Sequence, residues 1–165
     1  LNLYVRGVSL YQKQSNPVWD QAALAGRQRF SDPILIAKSS HSDLRPVIRA
    51  MRDGFPFYYL PDMDHGARNS IFVPFFGVPA ATLPMASRLA KMTKAKVLMC
   101  IPEMVDDGYE VHVTEIFENF PTEDYETDTL RITQELERWI LKFPDQYMWT
   151  HRRFKTRPEG EKSVY

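Results

Sequence analysis

Cysteine is nearly missing from this chain: Cys100 is the only one among 165 residues. No internal disulfide can form, so the fold has to hold through burial and hydrogen bonding, and this usage fits a reducing compartment. An excess of one charge is missing as well. Lysine and arginine together number 21, and so do aspartate and glutamate. That balance leaves no global field to gather nucleic acid, and no nucleic-acid partner is expected. No apolar run approaches the roughly 18 residues from which a membrane-spanning helix is built. No basic segment followed by an apolar one opens the chain, so no signal peptide is read. Internal repeats, low-complexity tracts, glycine-rich phosphate loops and zinc-type ligand spacings are all lacking, and neither a cofactor nor a metal is expected. An initiator methionine is lacking too. The chain opens on Leu1 and its first methionine is Met51, the pattern expected of a piece of a longer protein whose N-terminal part is missing.

What is present is the composition of an ordinary globular protein, 44% apolar and 25% charged, in a length that suits one domain with its own core. Residues 1–158 are read as that single domain and residues 159–165 as a flexible polar tail. Strand-like and helix-like segments alternate, which predicts an α/β layout. Short strands are expected at Val8–Tyr11, Ile34–Ala37, Phe57–Leu60 and Val97–Ile101. Helices are expected at Pro17–Arg29, from Pro46 to Gly54, at Met85–Met92 and at Glu123–Lys142. The last carries an apolar stripe (Ile132, Leu136, Trp139, Ile140, Phe143), with Thr122 as its cap and Pro144 as its stop. Tyr109–Ile116 alternates in polarity and is expected to pair back through the Asp106-Asp107-Gly108 turn. Pro74, Pro79 and Pro84 prevent Ile71–Met85 from forming one regular helix.

Four places are candidates for chemistry. Pro46 suits the first helical position and biases Arg45 out of helical geometry, at the helix entrance. A cation there opposes the helix dipole by roughly 0.3–1 kcal/mol, unless an anion is gripped jointly by Arg45 and the backbone N–H groups. The alternative is an exposed arginine folded back on Asp43 or another carboxylate. The second place is Asp62-Met63-Asp64-His65-Gly66, which follows a strand, where polar residues of α/β sheets are often functional. Gly66 stands where a calcium loop needs an oxygen ligand. The remaining readings are a metal-binding Asp-x-Asp of the glycosyltransferase kind, carboxylates that orient Arg45 or Arg68, and a solvated turn. The third is the apolar segment Ile71–Met85, either core or the wall of an acyl groove or a lipid-facing surface. The fourth is His151-Arg152-Arg153-Phe154-Lys155-Thr156-Arg157, either a solvated basic run or a set of phosphate contacts. Of the histidines His41, His65, His112 and His151, none is followed five residues later by Asp or Glu, and His112 is expected to face solvent from its strand.

Together these pieces carry a resemblance. Tyr59-Leu60-Pro61-Asp62-Met63-Asp64-His65-Gly66, Phe72-Val73-Pro74-Phe75-Phe76-Gly77, Ala81-Thr82-Leu83-Pro84 and Trp149-Thr150-His151-Arg152-Arg153-Phe154-Lys155-Thr156-Arg157-Pro158 resemble the late acyltransferases of lipid A biosynthesis, over nearly the whole chain. The resemblance implies a mixed sheet flanked by helices, as in glycerolipid acyltransferases. It implies acyl transfer from acyl carrier protein to a hydroxyl of a Kdo-bearing lipid A precursor, at the cytoplasmic face of the bacterial inner membrane. It also implies a His-x4-Asp/Glu motif in which histidine acts as general base. That motif lies upstream of the segment matched here, so no catalytic residue is named in this chain. The resemblance assigns substrate binding to Arg45, Asp62, Asp64 and Arg68, with Pro46 and His65 departing from residues common in the family. It makes Phe72, Phe75 and Phe76 acyl-groove or membrane candidates, and Arg152 and Arg153 candidate phosphate contacts. Two rival readings are a metal-dependent glycosyltransferase using Asp62 and Asp64, and a non-catalytic peripheral membrane-binding domain.

Overall fold

The computed structural model describes residues 4–38 and 44–165. They form two compact units, residues 1–59 and 60–165.

The first unit is a β-α-β-α-β run. Strand β1 (Val8–Tyr11) leads through helix α1 (Pro17–Gln28) to β2 (Ile34–Ala37), and helix α2 (Arg45–Arg52) leads on to β3 (Phe57–Tyr58). The three strands are parallel in the order β2-β1-β3, with Val8 opposite both Ile34 and Phe57. Asn16 starts α1: its side chain accepts from the Val18 amide at 2.9 Å, and Pro17 takes a first-turn position where no N–H is needed. Helix α2 packs Val47 and Ala50 inward. It ends in a Schellman motif, with the Gly54 N–H on Met51 O, the Phe55 N–H on Ala50 O, and Gly54 at φ 92°. Arg45 lies inside α2 as its first residue, contrary to the bias set by Pro46. That bias is statistical, and here Leu44 already accepts from the Ile48 amide, so the helical bond around Arg45 prevails.

The second unit is built on two antiparallel hairpins and two helices. Strands β4 (Ile71–Phe75) and β5 (Val78–Thr82) form the first, followed by helix α3 (Met85–Thr93). Strands β6 (Cys100–Val105) and β7 (Gly108–Val113) form the second. Helix α4 (Tyr125–Lys142) follows, and a 3-10 turn at Pro144–Gln146 ends it. The proline-broken apolar stretch is thus a hairpin. Its turn is Phe76-Gly77, both at positive φ (49° and 77°), which matches the twist of the flanking strands. Pro74 and Pro79 face each other one pair out from the turn-closing pair Phe75–Val78. In an antiparallel ladder that pair turns its amide nitrogens away from the partner strand, so two prolines cost the hairpin no ladder bond.

Phe75, Ala80 and Ile140 are buried together, with Leu136, Tyr147 and Phe154 packed on them. Asp128 on α4, fully buried, accepts from the Ser87 hydroxyl of α3 and from the Thr122 amide. Asp124, not Thr122, caps α4, accepting from the Glu126 amide at 2.9 Å. The Thr122 amide is held instead by Asp128 and its hydroxyl accepts from the Asp124 amide, which leaves the Asp124 carboxylate, two residues closer to the helix, as the cap.

The layout is α/β as expected, but among the described residues the strands divide into three sheets and not one mixed sheet. Strand β6 begins three residues later than its apolar content predicts. The preceding stretch still bonds across, through Met99 and Val97 to Thr114 and Phe117. The alternating strand β7 turns its apolar side out: Tyr109, Val111 and Val113 are exposed. His112 is on the covered side, stacked on Phe143 and close to Trp139, with Glu103 as its partner. The expectation that His112 faces solvent is therefore wrong. Aromatic side chains of α4 cover that side and offer an imidazole both stacking and a carboxylate.

Candidate functional site

In the first unit, α1 and α2 both begin at the carboxyl ends of parallel strands. The order β2-β1-β3 reverses direction about β1, and ligand crevices of open α/β sheets lie outside the carboxyl ends at such a reversal. Arg45 stands on that side, exposed, at the first position of α2. Leu44, the N-cap of α2, offers no side-chain cap, and a helix start that carries an arginine is of a kind that suits an anion. Asp43, the other candidate partner, lies outside the described residues, as does His41.

In the second unit, the two aspartates of the Asp62–Gly66 loop have different surroundings. Asp64 is only 4% exposed. Its carboxylate accepts from the Gly66 amide (2.8 Å), the Thr156 hydroxyl (2.9 Å) and the Thr156 amide (3.0 Å). Its own amide donates to His151 Nε2 at 3.2 Å. Burial pushes the Asp64 carboxyl upward, but the bonds from Gly66 and Thr156 and the charge of Lys155 outweigh it and hold the group below its ordinary value. Both oxygens of Asp64 thus serve as acceptors for protein N–H and O–H groups. Asp62 is half-buried and bonds the hydroxyl of Tyr147. Burial first, and then the Asp62 carboxylate, push that phenol well above its ordinary value, so Tyr147 stays a neutral donor. His65 and Arg68 are exposed on the same loop.

The basic run divides by side. Arg153 is 3% exposed; it donates to the Ala81 carbonyl at 2.7 Å and to the Thr82 hydroxyl at 2.5 Å, and its guanidinium lies over the Phe75 ring. Arg157 donates to the Pro79 carbonyl and pairs with Glu161. Pro79 and Ala81 alternate along β5 and turn their carbonyls to the outer edge of the hairpin. The two arginines therefore stand where a third strand would bond, and planar guanidinium donors close a sheet edge that would otherwise be open. Arg152 and Lys155 point outward, Arg152 over the Tyr165 ring. The tail after residue 158 has no regular structure, yet Tyr165 returns its hydroxyl to the Phe154 amide.

Of the three phenylalanines, Phe75 is core, Phe72 is half-buried, and Phe76 is 37% exposed at the hairpin tip. Phe76 lies against Trp149, which is itself exposed next to exposed Met148. Sequence reasoning assigns Tyr147 no role, and it includes Thr156 only as part of the basic run, not as a partner of Asp64. Only folding brings each to an aspartate more than eighty residues away.

The chain's sequence matches the model of the family described as bacterial lipid A biosynthesis acyltransferase over residues 1–156. The chain belongs to this family. It is 38% identical over 162 residues to the lipid A biosynthesis lauroyltransferase of Escherichia coli K12, covering 96% of this chain and 52% of that protein. It is 34% identical over 163 residues to a lipid A biosynthesis acyltransferase of Haemophilus influenzae, covering 96% and 51%. It is 33% identical over 161 residues to the lipid A biosynthesis myristoyltransferase of E. coli K12, covering 95% and 48%. The chain spans about half the length of the curated relatives it matches. As a member of the lipid A acyltransferase family, it places the family-like loop and the family-like tail in direct contact, through Asp64, Thr156 and His151. Among the described residues no helix is long and apolar enough to cross a membrane.

Proposed function

We propose that this chain is the C-terminal portion of an O-acyltransferase of lipid A assembly, which moves a fatty acyl chain from acyl carrier protein to a hydroxyl of a Kdo-bearing lipid A precursor at the inner face of the inner membrane. The observation that carries the reading is family membership over residues 1–156. The anion-suited start of α2 at Arg45 fits a phosphate of the lipid or of the carrier's prosthetic arm. Asp62 and Arg68 stay on the solvent-reachable side of their loop as acceptor contacts, and Asp64 holds the loop in shape. Phe76 with Trp149 and Met148 makes an apolar tip suited to a lipid surface. No histidine here is followed by the carboxylate of a His-x4-Asp/Glu motif, so the general base is assigned to residues outside these 165, and the chain alone is expected to be inactive.

The test is acyl transfer from acyl carrier protein to the tetra-acylated, Kdo-bearing precursor, with this chain and its full-length gene product assayed side by side. Activity in the full-length product alone is expected. Activity in this chain alone would overturn the assignment of the base, and activity in neither would favour a glycosyltransferase or a binding module. Against the glycosyltransferase stands the setting of Asp64, whose oxygens already meet three N–H and O–H donors. In the full-length enzyme Arg45→Ala should lower turnover about tenfold or more, on the order of the 1.5–3 kcal/mol of a charge-assisted hydrogen bond. Steady-state kinetics on the folded variant checks it.

A further inference from the structure

The β6–β7 hairpin gathers ligating atoms that acyl transfer does not use. Glu103 and Glu110 stand directly opposite each other across the ladder, where like charges destabilise a sheet. His112 lies on the same side, with Nε2 2.6 Å from Glu103 Oε2. One ligand atom from each of the three residues lies within 4.8 Å of the others. Among the described residues neither glutamate has a lysine or arginine partner: Glu103 pairs with His112, and Glu110 has no ion pair. Lys142, on the neighbouring helix, sets its ammonium over the Trp139 ring at 3.8 Å. Two carboxylates therefore share one small space with a single imidazole to balance them. The imidazole is held in place, 5.1 Å from Trp139 and 5.7 Å from Phe143 between ring centres. Glu103 and His112 are largely covered, while Glu110 is exposed and leaves a way in from solvent.

We propose that Glu103, Glu110 and His112 form a binding site for a zinc-type divalent cation, with water completing its coordination. One imidazole with two carboxylates is a donor set for borderline transition metals, whereas magnesium and calcium take oxygen ligands. The atoms need little movement. With metal–ligand bonds of about 2.0–2.2 Å, neighbouring donors on a tetrahedral ion stand about 3.3 Å apart, so Nε2 and Oε2 separate by about 0.7 Å from their hydrogen-bonded distance. The ion takes the place of the proton between them, neutralises the opposed glutamates and ties β6 to β7. Its role is to stiffen the hairpin, and the chemistry of acyl transfer does not pass through it. Spacing rules miss the group because its residues come from two strands, in an order that no zinc signature shares.

Zinc chloride titrated into the chelator-treated chain tests this, by calorimetry and by thermal melting, with wild type, Glu110→Gln and His112→Gln. One saturable equivalent and a raised Tm are expected in wild type. Affinity should fall at least about tenfold in Glu110→Gln, since losing a ligand costs no less than losing an outer-shell partner. Glu110 is exposed, so that variant keeps its fold even if the stacked His112 does not tolerate replacement. No saturable binding in wild type would overturn the proposal. So would zinc binding that Glu110→Gln leaves unchanged, which would place the ion on other histidines.

Discussion

Asp64 is where one side chain does most to shape the candidate site. Its carboxylate joins a loop at residue 64 to the chain at residue 156, and its folded form prefers the charged state. The unfolded chain therefore takes up the proton at a higher pH than the folded one. The stabilisation is complete above the ordinary carboxyl value of 3.8 and is lost as pH falls below it through the depressed folded value. Asp64→Asn should cost about 1–3 kcal/mol at neutral pH, because a donor then faces donors. The gap between variant and wild type should close as pH falls below about 4, which urea melts across that range would show. Arg153 is a second such residue. Arg153→Met should destabilise by about 2–3 kcal/mol through the bonds lost at Ala81 and Thr82. Arg153→Lys should recover only part of it, since an ammonium cannot span both acceptors as a planar guanidinium does. Denaturant midpoints of the three proteins decide this. From sequence, the basic run and the Asp-x-Asp loop were both visible as unusual, but which of their charges turn inward was not. Neighbours in sequence take opposite sides, Arg152 out and Arg153 in, and only the strand edge beside them sorts the two.

At the scale of elements, local rules performed well where the cause is local. Val8–Tyr11, Ile34–Ala37 and the start of α1 at Pro17 fall where the residues place them, because apolar strand runs and proline at a first turn act within a few residues. The same rules failed where a partner decides. The prolines of Ile71–Met85 argue against helix, yet only the register opposite shows that they fit a hairpin. The tip of that hairpin gives a prediction. Gly77→Val places a β-branched residue at φ 77° and should cost about 1–2 kcal/mol in strain, read as a lower midpoint of thermal unfolding. Phe76→Asn puts a residue tolerant of the left-handed region at φ 49°. It should leave the fold intact and weaken sedimentation with anionic lipid vesicles if the tip meets lipid; unchanged vesicle binding would remove Phe76 from that role. Strand β7 is the sharper lesson, since alternation correctly marked two unlike faces and said nothing about which is covered. The Asp106-Asp107 turn, however, already fixes Glu103 opposite Glu110.

At the scale of the molecule, residues 60–165 hold a core of their own around Phe75, Ala80 and Ile140, tied by the Asp128–Ser87 bond and by the tail on the β5 edge. Expressed alone, they are expected to fold as one cooperative unit. Circular dichroism melts should then give a single transition, and a broad non-cooperative loss of signal would contradict it. Removing residues 151–165 from that piece should abolish the transition, because it opens the β5 edge and frees the Asp64 carboxylate together. Family membership needs none of this geometry. The loop, hairpin and tail motifs carry it in the order of residues, and the α/β layout and most element positions are legible there as well, since each depends on chain neighbours a few residues apart. Tertiary structure alone decided that Asp64 faces the tail, that Arg153 and Arg157 cap a strand edge, and that His112 is covered while Tyr109 and Val111 are not. Those outcomes depend on groups brought together from distant positions, where burial, unmet backbone carbonyls and opposed charges set the energy, and no spacing along the chain records them.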